Sequence, residues 1–379
     1  MEVAKSLQQI PSSYIREILA AACDKSVISL AGGLPDEKTF PIDLMKPTLE
    51  GLCQMPEVFQ YGSTAGYGPL LSHLKGYFDL PDSHSVMVTT GSQQGLDLIA
   101  RAYINPGDAV VMEAPSYLGA MQVFGLVQAD IVTVPQTEFG PDLDKLESCF
   151  SEKSPKMFYA VPDFHNPTGV CWSLETRIRV AELCIKYNVA FIEDAPYREL
   201  RFSGEAVQLV SDFCPQHSIV LRSFSKIGSP GLRVAAVSGK SSFIEPLIKI
   251  KQGADLHSSV PMQALLLGLL KHKGFEKHIE AIRSLYKSRY ERLFTELKKQ
   301  LPETCLVKPV DGGMFVWVEL PECDTFSLAK DLLANGVAVV PSPVFYPDPN
   351  GAKAALRLNF TNAEPEELAE AVRRLAQVL

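Results

Sequence analysis

Ser223-Phe-Ser-Lys226-Ile-Gly-Ser-Pro-Gly231-Leu-Arg233-Val-Ala sets one amine among small, hydroxyl-bearing and flexible residues, with an arginine seven positions later. A lysine that forms a Schiff base needs an uncluttered, partly desolvated place, because burial lowers its pKa and leaves the free amine available. Hydroxyls and a guanidinium nearby suit a second task, gripping a phosphate dianion. Together these groups fit pyridoxal 5′-phosphate (PLP), which carries both an aldehyde and a phosphate. A surface lysine in a Ser/Gly/Pro loop would read from the same letters, since short motifs recur by chance. The rest of the chain has to decide between the two.

The 379 residues allow two to three domain equivalents with a core in each. Apolar content of 46% and charged content of 21% are those of an ordinary globular protein. A net charge of −8 and the lack of a Lys/Arg run argue against a nucleic-acid surface. No stretch approaches the ~18 uninterrupted apolar residues of a membrane span. The opening Met-Glu-Val-Ala-Lys lacks the layout of a secretory signal. The eight cysteines are scattered, without a Cys-x-x-Cys pair, which disfavours a disulfide framework or a zinc site. A cytoplasmic, reduced protein without a structural metal is expected.

Residues 12–23 read as a capped helix with an apolar face, and Ser29-Leu-Ala-Gly-Gly-Leu-Pro35 after it as a loop. From about residue 85, short apolar runs alternate with amphipathic stretches. The expected strands are Val86–Thr90, Ala109–Glu113, Asp130–Val134, Met157–Val161, Ala190–Glu193, Ile219–Ser223 and Val234–Ser238. That alternation predicts an α/β domain with a mainly parallel sheet. Ser242–Arg292 reads as long helices. Gly313–Glu319, Val337–Val340 and Ala355–Phe360 read as strands, with helices over Ser327–Ala334 and Glu364–Leu379, making a smaller α+β domain.

In open α/β sheets ligands bind beyond the carboxyl ends of the strands, and the informative polar residues fall there. Gly91-Ser92-Gln93-Gln94-Gly95 follows a strand and opens a helix whose first amides are unpaired, so it forms either an anion site or a plain helix start. Asn166-Pro-Thr-Gly169 follows another strand; it stiffens a turn and can aim the Asn166 amide at a ring oxygen, although such a string is often only a turn. Asp194-Ala-Pro-Tyr197 ends a third. Its aspartate suits a pyridinium nitrogen and its phenol a ring hydroxyl, the arrangement that makes the ring an electron sink; a helix cap and a packed tyrosine are the plainer reading. Arg357, a lone charge in an expected strand, can take an α-carboxylate bidentately or sit in a structural ion pair.

Taken in order, Gly91-Ser-Gln, Asn166-Pro-x-Gly, Asp194-x-x-Tyr197, Ser223-x-Ser-Lys226, Arg233 and Arg357 resemble the fold-type I, class I/II aminotransferases across nearly the whole chain. The likeness is nearest to the branch of 2-aminoadipate, kynurenine and broad-specificity amino-acid aminotransferases, on Ser29–Pro35, Tyr61-Gly-Ser-Thr-Ala-Gly and Ala254-Asp-Leu-His-Ser. The resemblance implies a large PLP-binding domain with a mainly parallel seven-stranded sheet over 45–268. It also implies a small α+β domain over 269–379 and an amino-terminal arm over 1–44.

The resemblance implies Lys226 as the Schiff-base lysine and proton shuttle, and Asp194 on the pyridine nitrogen, with Asn166 and Tyr197 on the ring oxygen. It further implies Ser92, Gln93, Ser223, Ser225 and Arg233 on the phosphate, and Tyr117 stacked on the ring. Tyr61 would reach the phosphate of the neighbouring subunit, making a homodimer with active sites at the interface. Arg357, with Asn166 and Gly33, would bind the substrate, and Arg16 would help to recognise a substrate side chain; a solvent-facing helix arginine is the other reading of Arg16.

The implied function is transfer of an amino group from an L-amino acid to a 2-oxo acid, 2-oxoglutarate foremost, by a ping-pong mechanism. The same residues serve a lyase, cyclase or oxidase acting on amino acids. A non-catalytic PLP-binding sensor domain is a remoter alternative.

Overall fold

The computed structural model of the chain describes residues 2–4, 7, 18 and 26–379. The expected helix over 12–23, and Arg16 with it, lies outside the described residues except for Ile18, which is buried with Ala31, Ala338, Val340 and Phe345.

Strands are numbered along the chain: β1 (Ile28–Ser29), β2 (His84–Thr89), β3 (Ala109–Ala114), β4 (Asp130–Thr137), β5 (Gly140–Pro141), β6 (Met157–Ala160), β7 (Ala190–Asp194), β8 (Ser218–Ser223) and β9 (Ala235–Lys240). Strands β2 to β9 form one sheet in the order β2-β9-β8-β7-β6-β3-β4-β5. The run β4-β3-β6-β7-β8 is parallel, whereas β9 opposes both β2 and β8, and β5 returns against β4. All seven expected strands are present, and the two-residue β5 adds an eighth at the edge. The central strands read as unbroken apolar runs because helices cover both faces of a parallel sheet; Val110, Val111, Met112, Phe158 and Ile192 are fully buried.

The covering helices start and stop where local chemistry dictates. Helix 174–187 begins at Ser173, whose hydroxyl accepts the Thr176 amide at 3.1 Å, and ends at Asn188 in the left-handed conformation. After β9 come the expected long helices: Ser241–Ala254, Val260–Leu270 and Phe275–Gln300.

The second sheet is antiparallel: β10 (Leu306–Val307), β11 (Phe315–Glu319), β14 (Ala355–Asn359) and β13 (Val340–Pro341), in that order. β12 (Val337–Ala338) instead pairs in parallel with β1. Two expectations are corrected here. The run Val337–Val340 divides at Val339 to serve two different partners, and the stretch from Ser29 opens in a strand rather than a loop. Backbone amides in an extended, buried segment need partners, and Gly336 and Ala338 supply them to Ile28 and Leu30. The closing helix Pro365–Val378 lays Leu368, Ala371, Val372 and Leu375 against the long helix 275–300.

Candidate active site

The carboxyl ends of β2, β7 and β8, the turn after β6 and strand β14 converge on a cavity of about 510 Å³. Gly33, Ser92, Gln93, Tyr117, Asn166, Asp194, Tyr197, Ser223, Ser225, Lys226, Arg233 and Arg357 line it. Twelve of the fourteen residues singled out in the sequence therefore meet in one place. Tyr61 does not; its side chain stands out on the surface, 81% exposed, edge-on to His257 with ring centroids 5.8 Å apart. Arg16 is outside the described residues. A larger cavity of about 760 Å³, between the Thr168–Ser173 turn and Lys308–Asp311, holds none of the fourteen.

One end of the cavity is built for an anion. Gly91 turns the chain from β2 into the helix Ser92–Tyr103 with φ of +93°, which points the first amides of that helix into the opening. A Cβ on Gly91 would stand 2.5 Å from the Arg233 Nη2, so only glycine lets the guanidinium close over the turn. Arg233 Nη2 donates to the Thr90 carbonyl at 3.0 Å, and the Gln93 amide donates to the Gly119 carbonyl at 2.9 Å. The Ser92 hydroxyl is buried there without a hydrogen-bond partner among the described residues.

At the floor, Asp194 closes β7. The Tyr159 hydroxyl donates to its Oδ2 at 2.8 Å, and its Oδ1 is buried with no partner among the described residues. Burial lifts the Asp194 carboxyl to about 7 against the pull of the Tyr159 hydrogen bond. Burial, with the Asp194 carboxylate adding to it, also lifts the phenols: Tyr117 to about 12, and Tyr197 and Tyr159 well above the usual range of a phenol.

Lys226 Nζ donates to the Gly33 carbonyl at 2.7 Å. Burial, then the cationic Arg357 and Arg233, bring its amine down to about 8, which leaves a neutral fraction near neutral pH. Arg357 enters from β14, stacked between Phe315 (4.4 Å to the ring centroid) and Phe345 (5.1 Å). It donates to the Asn166 Oδ1 at 2.8 Å and to the Ala31 carbonyl, while its Nε has no partner among the described residues. Burial pulls this guanidinium down to about 10.

The description "aminotransferase class I and II" matches residues 25–375. The chain belongs to that family. Its similarity to a 2-aminoadipate transaminase of Thermus thermophilus is 37% identity over 99% of this chain and 96% of the other. To aromatic-amino-acid aminotransferase 1 of Thermococcus litoralis it is 36%, over 97% and 91%. The crystal structure of the α-aminoadipate aminotransferase of Thermus thermophilus, complexed with N-(5′-phosphopyridoxyl)-L-leucine, superposes with a TM-score of 0.93 at 36% identity, over 100% of this chain and 97% of that one. The aminotransferase described here is accordingly a fold-type I, PLP-dependent transaminase.

Its cavity fits that cofactor on its own terms. A carboxylate oxygen without a partner among the described residues stands at the floor, where a ring N–H needs an acceptor. A hydroxyl without a partner among the described residues stands at the helix start, where a phosphate needs donors. The amine lines the same cavity and donates to the Gly33 carbonyl.

Some groups of the site were not legible from the sequence. Tyr159, Phe315 and Phe345 look like core aromatics in apolar runs, and their roles depend on strand pairing: Tyr159 stands opposite Ile192, two residues before Asp194 in β7. The Ala31 and Gly33 carbonyls carry no side-chain signal at all.

Proposed function

We propose that this aminotransferase moves the amino group of an L-amino acid to 2-oxoglutarate in two half-reactions that share Lys226, and that it works as a cytoplasmic homodimer. One observation carries the reading: in a single cavity meet a buried amine, a carboxylate oxygen without a partner and a buried guanidinium without a carboxylate among the described residues.

Bound there, PLP supplies an electron sink for the pair left at the substrate Cα. Asp194 Oδ1 accepts the ring N–H, and its Oδ2 stays fixed by Tyr159. Asn166 and Tyr197 hold the ring oxygen, and Tyr117 covers a ring face. Ser92, Gln93, Ser223, Ser225 and Arg233 hold the phosphate, with the amides that open helix 92–103. Tyr61, exposed on its own subunit, serves the phosphate of the partner subunit.

Arg357 takes the α-carboxylate through its planar fork, and Gly33 borders the same wall. Lys226 Nζ, once neutral, removes the α-proton of the amino acid, and it returns a proton to Cα of the product in the second half-reaction. Because the two substrates use one set of groups in turn, double-reciprocal plots at several acceptor concentrations should be parallel.

The test is the visible spectrum of the cofactor-loaded protein. Aromatic amino acids and 2-aminoadipate head the panel of donors, because the relatives carry those names. A band that bleaches with a donor alone and returns with 2-oxoglutarate supports the reading. Release of ammonia without bleaching overturns it in favour of elimination.

A further inference from the structure

The segment Ile28–Asp36 crosses from the small sheet to the mouth of the cavity, and nearly all its anchors lie late in the chain. Ile28 and Leu30 donate to the Gly336 and Ala338 carbonyls at 2.9 and 2.8 Å, and the Asn359 amide donates to the Leu30 carbonyl at 2.8 Å. Arg357 donates to the Ala31 carbonyl, and the Thr361 hydroxyl to the Leu34 carbonyl at 2.9 Å. At the far end Asp36, 5% exposed, accepts Arg289 Nη2 at 2.7 Å, and its amide donates to the Tyr286 hydroxyl at 3.4 Å. Arg289 is 1% exposed and also donates to the Thr361 carbonyl at 2.5 Å and to Glu364 at 3.2 Å. Between these tethers the Gly33 carbonyl turns the other way and accepts Lys226 Nζ.

A buried ion pair is expensive to form and expensive to break, so its clearest use is to fix one arrangement. Here the arrangement ends on an amine. A neutral amine has two N–H bonds and one lone pair; tethering an N–H limits where the lone pair points. We propose that Arg289 is a positioning residue for Lys226: paired with Asp36 and the Thr361 carbonyl, it fixes the strap so that the Gly33 carbonyl holds the amine. The inference rests on the reading of Lys226 as the cofactor-binding amine. It adds that a residue on the small-domain helix 275–300, outside the cavity lining, sets how that amine is held.

A carbonyl acceptor favours the protonated amine, so a loosened strap must lower the pH at which Lys226 becomes reactive. The charged and titratable groups facing Lys226 across the cavity are Arg357 on β14, Arg233 after β8, Asp194 on β7, and the phenols of Tyr117 and Tyr197. None of them is altered by a change at Arg289.

The experiment measures acylation of Lys226 by acetic anhydride against pH, in the full chain freed of cofactor, with the Lys226 peptide quantified by mass spectrometry. In Arg289→Lys the midpoint should fall by about half to one pH unit, as expected when a hydrogen bond to an ammonium is weakened. Tyr290→Phe removes the Tyr290 hydroxyl bond to the Val310 amide from the same helix and leaves the strap alone; its midpoint should stay at the wild-type value. If Arg289→Lys does not accumulate folded, Thr361→Val removes the neighbouring tether, and the same shift should appear at smaller size. A wild-type midpoint in the folded Arg289→Lys, or in Thr361→Val where that variant stands in, overturns the proposal, as does an equal shift in Tyr290→Phe. Lys226→Ala tests the underlying reading separately: if it still transaminates, the cofactor role is lost, whatever the acylation profile shows.

Discussion

Arg177 and Arg357 are both buried arginines, and their surroundings differ in one respect. Arg177, under the turn after β6, donates to both oxygens of Asp163 (2.8 and 3.4 Å) and to the carbonyls of Pro162, Trp172 and Gln208. Burial works against its charge, but the Asp163 carboxylate outweighs that and raises its pKa. Arg357 has two aromatic rings, an amide oxygen and a carbonyl, and burial lowers its pKa to about 10. The first has its carboxylate; the second has none among the described residues. A buried charge without its counter-ion is costly, and such a cost marks a place where a ligand completes the structure.

The largest way to break this contrast is at the unfinished arginine. Arg357→Ala should lower kcat/KM for every amino donor about a thousandfold, the worth of two charge-assisted hydrogen bonds at about 2 kcal/mol each. Its thermal midpoint should fall less than that of Arg177→Met, because the acceptors it leaves, Asn166 Oδ1 and the Ala31 carbonyl, are neutral. Arg177→Met should do the reverse, losing about 3 kcal/mol in denaturant unfolding by leaving the buried Asp163 with Arg198 alone, while kcat/KM per folded molecule stays within about threefold. Equal activity losses in both variants would erase the distinction.

Adding Asp163→Leu to Arg177→Met should recover most of that stability, to within about 1–2 kcal/mol of wild type, since an ion pair replaced whole by apolar groups is nearly neutral. Arg198, which also reaches Asp163 at 3.3 Å, is partly exposed, so its charge is not buried when Asp163 is replaced. The smallest effect is electrostatic. Arg233, which does not touch the strap, also holds the Lys226 amine down by its charge, so Arg233→Gln should move the acylation midpoint of Lys226 above its value near 8, by less than about one unit, whereas Arg177→Met should leave it in place.

The same contrast explains what the sequence discloses. Lys226, Asn166, Asp194, Ser92 and Arg233 each sit in a short string whose local geometry follows from Gly, Pro or a strand end, so their chemistry can be read in place. The central strands are legible for a similar reason, since burial on both faces leaves continuous apolar runs, while the half-exposed β4 shows only as a β-branched run. Arg357, a lone charge between leucines, and Arg177, in Glu175-Thr-Arg-Ile-Arg179, by contrast sit in no string that announces a role, and only the pairing of β14 with β11 and the fold of the Asp163 turn tell them apart. The two-residue strand β1 is invisible because its partner, β12, lies some three hundred residues on, and the split at Val339 follows from that same pairing.

Phe315 and Phe345 flank the Arg357 guanidinium where it lines the cavity. Choice of buffer therefore becomes part of the enzymology. Acetate and other small carboxylates are guests for the same fork, and assays run in them will return an apparent KM that climbs with buffer concentration. A zwitterionic buffer without a carboxylate leaves the arginine to the substrate.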